Sequence, residues 1–204
     1  MPPDLISRLR ADPLRAPETI ALAAGEVHGP AAAAWERDLR SRYRMSDRDL
    51  ARRAKARHAA LARLEGAATG VGGLVTLLPD LASLLWIQSR LVFYVAAAYG
   101  HDPEDRMRPA ELLVLRHLYP DAQSARAALD GEGRRLAEAM IDKSLRAGRS
   151  DLALVHNLLR FAGKRTAKSF AGRLIPGFAV LVNSVSNERD TRALADRAIA
   201  FYER

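Results

Sequence analysis

Two charged side chains stand where the surrounding sequence tolerates charge least. The stretch from Gly66 to Tyr99, GAATGVGGLVTLLPDLASLLWIQSRLVFYVAAAY, is the longest apolar segment of the 204-residue chain, and it contains Asp80 and Arg90. A charge in such surroundings must be paired, hydrogen-bonded or open to water. Asp80 follows Pro79, a position that suits an N-cap accepting a backbone N–H from Ala82 or Ser83. Arg90 fits either a buried ion pair or carbonyl-bound arginine, or an anchor for a lipid phosphate or other anion. A separation of ten residues keeps Asp80 from being its same-face partner on a straight helix. Asn183 and Asn187, four apart on one helical face, read as hydrogen-bonding groups toward a neighbouring helix or as part of a polar binding site. Arg90, Asp80, Asn183 and Asn187 are therefore the candidate ligand- or anion-binding residues.

Other chemistries find little support. Gly66, Gly70, Gly72 and Gly73 resemble a phosphate loop only superficially, because Leu74-Val75-Thr76 follows where a Walker loop needs Lys-Ser/Thr. A dinucleotide fingerprint needs a preceding strand, and here a basic helical stretch precedes. The better reading pairs Gly66 with Gly70 and Ala68 with Gly72, small residues four apart that let two helices approach closely. A hairpin dipping into a membrane is the competing reading. The histidines, His28, His58, His101, His117 and His156, show no HExxH pattern and no ligand spacing, so no metal site is assigned. Without a GxSxG elbow or other nucleophile signature, no catalytic residue and no cofactor is assigned.

The elements that must position these residues are all helical. No segment sustains period-two alternation with strand-type punctuation, so the expected fold is all-α: a single compact multi-helix domain with two proline-started central apolar helices. Residues 1–16 read as a loose leader or a short helical turn. Residues 17–43 read as a helix broken or kinked at Gly29-Pro30. Ser46 is placed to cap a helix over 47–65, with Leu50, Ala54, Leu61 and Leu64 on one stripe and arginines opposite. The first central helix is expected over 81–99, apolar on nearly every side, with Gly100 as its stop. Such a helix belongs either in the middle of a helical domain or in lipid. Asp102-Pro103 opens a helix over 104–118, which Tyr119-Pro120 ends. Asp130-Gly131 divides the stretch 121–147, and Ser150 or Asp151 caps a helix striped by Leu152, Val155, Leu158, Leu159 and Ala162. After Leu174-Ile175-Pro176-Gly177 comes the last long helix. The two proline-started helices are expected to pack together. Residues 1–45 are assigned to an N-terminal helical extension and 46–204 to the main helical domain.

Composition narrows the setting. The formal net charge of +8 and isoelectric point near 10.4 favour an anionic partner. Only Lys55, Lys143, Lys164 and Lys168 are lysines, so arginine carries most of that charge. No cysteine is present, which fits a reducing compartment. The start MPPDLISRLRADP lacks an apolar core of signal-peptide length. No run of about 18 uncharged apolar residues exists for an ordinary membrane span. Positive charge clusters at Arg37–Arg63 and Arg160–Arg173, beside the two apolar turns at 66–79 and 174–182. Arg52, Arg53, Arg57, Lys164 and Lys168 are the expected membrane- or partner-binding face.

Two separated motifs now carry a resemblance. Thr69-Gly70, Gly72-Gly73, Leu78-Pro79-Asp80-Leu81, Arg90 and Tyr99-Gly100-His101-Asp102-Pro103, followed by Arg173, Ile175-Pro176, Asn183, Asn187, Thr191 and Ala198, resemble the EcsC family over roughly 45–204. The chain departs from it where Gly177 directly follows Pro176. The resemblance implies a helical bacterial protein whose founding member is linked genetically to an ABC transporter, and it supplies no reaction. The expected function is a non-enzymatic, peripheral membrane-associated or lipid-binding protein at the cytoplasmic face. The alternative is an interaction module that binds a transporter or other protein through the same face. Nucleic-acid binding has the charge but no recognised motif such as a helix-turn-helix or stacking platform. Oligomeric state is open.

Overall fold

Leu81, Leu84, Leu85, Leu91 and Val95 are completely buried on one helix that the chain wraps around. The computed structural model describes residues 1–69, 73–131, 151–162 and 179–204. In chain order the described helices are α1 (Leu5–Ala11), a 3-10 turn (Pro13–Arg15), α2 (Ala16–Arg42), α3 (Asp47–Thr69), α4 (Gly73–Ala98), α5 (Arg108–Leu115), α6 (Ala122–Leu129), α7 (Asp151–Ala162) and α8 (Ala179–Tyr202). There is no strand among the described residues, and the helices form a compact all-α domain, as expected. The segment Pro79–Ala98 is long and apolar enough to cross a membrane, yet 83% of its window lies inside the protein. Helix α4 is apolar all round because it is the core of a bundle.

The central helix does not start at its proline. Helix α4 begins at Gly73 and runs through Pro79, so the expected break at Pro79-Asp80 is corrected. Helix α2 likewise passes through Pro30 without ending. Both prolines are exposed. Each removes one N–H from its helix, and on the solvent side the freed carbonyl can turn to water. Pro176, the other expected start, lies outside the described residues, as do Gly70, Gly72, Gly148 and Ser150.

Directions follow from the side-chain pairs. Arg48 pairs with Glu203 at 2.7 Å, Lys55 with Asp196, and Arg63 with Glu188 at 3.7 Å. Advancing seven or eight residues along α3 thus retreats equally far along α8, so the two helices are antiparallel. These pairs are largely exposed and worth about 0–1 kcal/mol each, enough to select a register but not to hold it. Ala51, Ala54, Ala59 and Ala62 are buried on α3, and Leu194, Ala195 and Ala198 on α8. Gln88 bonds Thr191, and His101 meets the carbonyl of Tyr202, so α4 and α8 run parallel, packed together as expected. Helix α2 also runs with α4, from His28 beside Trp86 to Arg40 on the Ala98 carbonyl.

Several local readings hold. The Asp49 N–H donates to Ser46 Oγ at 3.2 Å, capping α3 as its sequence demands. Gly100 has φ +77°, its N–H donates to Ala97 O and that of His101 to Ala96 O, a Schellman stop. Asp130-Gly131 follows the end of α6 at Leu129, with Gly131 at φ +91°; at the other end Asp121, a cap not read from the sequence, accepts from the Ser124 N–H at 2.7 Å.

Others are corrected. Of the two readings of residues 1–16 the loose leader is the one corrected: the short helix α1 packs Leu5 and Leu9, both fully buried, into the same core as α4. Leu64 lies 66% exposed, and His58 instead takes a buried place on α3. Asp102 turns the chain by accepting from the Glu104 N–H, while α5 starts later, at Arg108 with Pro109 in its first turn. The close approach expected at Gly66–Gly72 involves Gly70 and Gly72, which lie outside the described residues; among the described glycines, two on α2 are closely packed. A Cβ on Gly25 would lie 2.9 Å from Pro109 Cγ, and one on Gly29 would lie 2.9 Å from the Pro103 carbonyl oxygen.

Candidate functional site

Midway along α4, Arg90 faces one histidine from α2 and one from α3. Its Nη2 donates to the Tyr94 hydroxyl at 2.8 Å, and its guanidinium lies 4.9 Å from the centroid of the Tyr94 ring. Among the described residues no carboxylate pairs with it. Its Nε is buried without a hydrogen-bond partner, as are His28 Nε2 and His58 Nε2. His28 lies against Trp86 at 4.4 Å between ring centroids, His58 against Tyr94 at 5.0 Å, and Trp35 against Tyr94 at 4.9 Å. The result is an aromatic-walled cluster with three unpartnered nitrogens from three helices.

Electrostatics keeps both imidazoles neutral. Burial, reinforced by Arg90 and then His58, pulls His28 down to about 3, while a bond to the Trp86 backbone works the other way. Burial pulls His58 down to about 4, opposed by its bond to the Ala54 carbonyl and aided by Arg90 and Arg57. That bond, 2.8 Å from Nδ1 to Ala54 O, also fixes the tautomer. A carbonyl only accepts, so Nδ1 carries the hydrogen and Nε2 presents a lone pair. The ion-pair reading of Arg90 thus has no acid among the described residues. The sequence held a signal for His58, which stands four residues after Ala54 on the apolar stripe. It held none for His28, which only the path of α2 brings to α4.

The second polar centre joins α4, α5 and α8. Arg116, just past α5, donates through Nη2 to Gln88 Oε1 at 2.8 Å, and Gln88 Nε2 donates to Thr191 Oγ1 at 3.0 Å. Thr191 in turn donates to the Asn187 carbonyl at 2.6 Å, and Arg116 lies 5.0 Å from the centroid of the Phe161 ring. Burial, then nearby Arg197, pulls the Arg116 guanidinium down to about 9, while Asp190 opposes them. It remains protonated at neutral pH. Asn187 is buried and its Oδ1 has no partner. Asn183 stands one turn earlier on α8. Asn187 and Arg90 therefore belong to different clusters and do not form one site.

Asp80 is buried, but it sits seven residues inside α4 and cannot be its N-cap. The expected surface is divided. Arg52, Arg53 and Arg57 are exposed on α3. Arg52 lies 3.7 Å from Asp49, and Arg53 and Arg57 meet no carboxylate among the described residues. Lys164 and Lys168 lie outside the described residues.

Several residues of the first motif share one corner of the fold. Gly100 stops α4, His101 reaches the last turn of α8, Asp102 turns the chain, and the Pro103 carbonyl receives Gly29 of α2. Thr191 of the second motif bonds Gln88 of α4. These residues define an all-α protein whose central helix is locked to its C-terminal helix. The EcsC protein family matches residues 38–204, and the chain belongs to that family. No curated protein and no solved structure matches it.

Proposed function

We propose that the protein is a non-enzymatic, peripheral membrane protein that attaches to anionic bilayers from the cytoplasmic side through α3. One stripe supports this reading. Arg53, Arg57, Ala60 and Leu64 are exposed along a single face of α3, two arginines without a described carboxylate leading to a leucine that is 66% exposed. Val185, 59% exposed on α8, stands at the same end, because Arg63 and Glu188 pair beside it. A charged flank that ends in apolar side chains is how an amphipathic surface meets a headgroup layer.

The two exposed arginines contribute about 2 kcal/mol near an anionic leaflet, and burying one leucine adds about 2 kcal/mol. Attachment of that size is reversible. Vesicle flotation is the test, with anionic and neutral lipids at low and high salt. Recovery should require anionic lipid and fall with salt, since exposed charges beyond about 8 Å are screened at physiological ionic strength. Equal recovery on both lipids removes the electrostatic part. Recovery on neither transfers the face to a protein partner such as a transporter.

A further inference from the structure

We propose that Arg90, His28 and His58 form a binding site for the singly ionised form of a phosphomonoester, an oxyanion that keeps one acidic proton. Three observations converge. Arg90 has a buried Nε–H donor with no acceptor, on a guanidinium with no carboxylate among the described residues. A cation so placed calls for an anion. Arg90 itself is partly exposed, while both histidines are buried. Tyr94 holds the Nη2 edge and orients the fork.

The histidines narrow the class of anion. His58 spends its N–H on the Ala54 carbonyl and offers a lone pair at Nε2, which is buried and unpartnered. Nε2 of His28 is likewise buried and unpartnered. A fully deprotonated anion would set its own lone pairs against these. An oxyanion bearing one acidic O–H accepts from Arg90 through one oxygen and donates to Nε2 through another, and phosphomonoesters ionise for the second time near pH 6. The charged groups facing the cluster give the same sign. Arg57 on α3 and the Met1 amino group act on the histidines with Arg90, and no acid is among the groups that act on them.

The site stands on this geometry and not on membrane attachment, so the test begins without lipid. Trp86 and Trp35, the chain's two tryptophans, flank the cluster and report on it by fluorescence. Inorganic phosphate and glycerol phosphate should each give a saturable change that tightens severalfold from pH 8 to pH 6.5. Sulfate, which has no proton to donate, should bind at least about tenfold more weakly. Arg90→Met should weaken phosphate about tenfold or more, and Arg90→Lys, which keeps the charge, should recover part of that. Should Arg90→Met fail to fold by its melting curve, Arg90→Lys and Tyr94→Phe carry the comparison. Vesicles of phosphatidic acid and of phosphatidylglycerol, a monoester and a diester, separate a lipid headgroup from a free phosphomonoester as the natural source. No phosphate response, or equal responses to phosphate and sulfate, overturns the proposal. Flotation can fail without touching this result, and this titration can fail while flotation succeeds.

Discussion

Acid should unfold this protein earlier than its carboxylates alone would require. His28 and His58 are held at about 3 and about 4 in the folded chain against 6.5 when free. Both native values are lowered, so between them and pH 6.5 the unfolded chain binds more protons. The stability from keeping them neutral is complete above pH 6.5 and is lost as pH falls toward the native values. At pH 5 each free imidazole lies 1.5 pH units below its own value, a loss of about 2 kcal/mol each and about 4 kcal/mol for the pair. That is a large share of the 5–15 kcal/mol typical of a domain. Urea unfolding at pH 7.5 and pH 5 measures it. His58→Phe should lose about 2 kcal/mol less than the parent over that interval, whatever its stability at pH 7.5. Equal losses in parent and variant would refute the assignment of buried, neutral imidazoles.

Other expectations follow from single contacts. Arg90→Met removes a charge that has no described acid, so stability should hold or rise; a loss of roughly 3–5 kcal/mol in urea melts would instead mean a stranded ion-pair partner. Gly29→Ala puts a Cβ 2.9 Å from the Pro103 carbonyl oxygen and should destabilise by about 1–3 kcal/mol, whereas an unchanged melting temperature would deny the close approach. Thr191→Val leaves Gln88 Nε2 buried without an acceptor and should cost about 1–3 kcal/mol, read from the same denaturation curves.

Periodicity and capping chemistry were readable in the sequence because they act over one helical turn. Ser46 and Gly100 do what their residue types dictate, and the apolar run after Asp80 is the core it resembles. The prolines misled because a local rule was overridden by position. Pro30 and Pro79 sit on solvent-facing sides of long helices, where packing on the opposite side keeps the helix whole. Leu64 was assigned to the core by spacing, but near it the buried positions of α3 are Ala59 and Ala62. The clusters needed tertiary information. Nothing in the chain order brings His28 to Arg90, or Arg116 to Gln88 and Thr191. Gly29 was read only as part of a Gly-Pro break and Gly25 was not read at all; their task becomes clear where α2 meets Pro103 and Pro109.

The proposed attachment rests most directly on the α3 stripe, and one comparison tests it. Flotation on anionic vesicles should be measured for the parent and for Arg53→Gln/Arg57→Gln/Leu64→Ser, all exposed positions. The account predicts an unchanged melting curve and loss of most recovery in the substituted protein, since about 4 kcal/mol of attachment is removed. Full recovery of the substituted protein on anionic vesicles would contradict it.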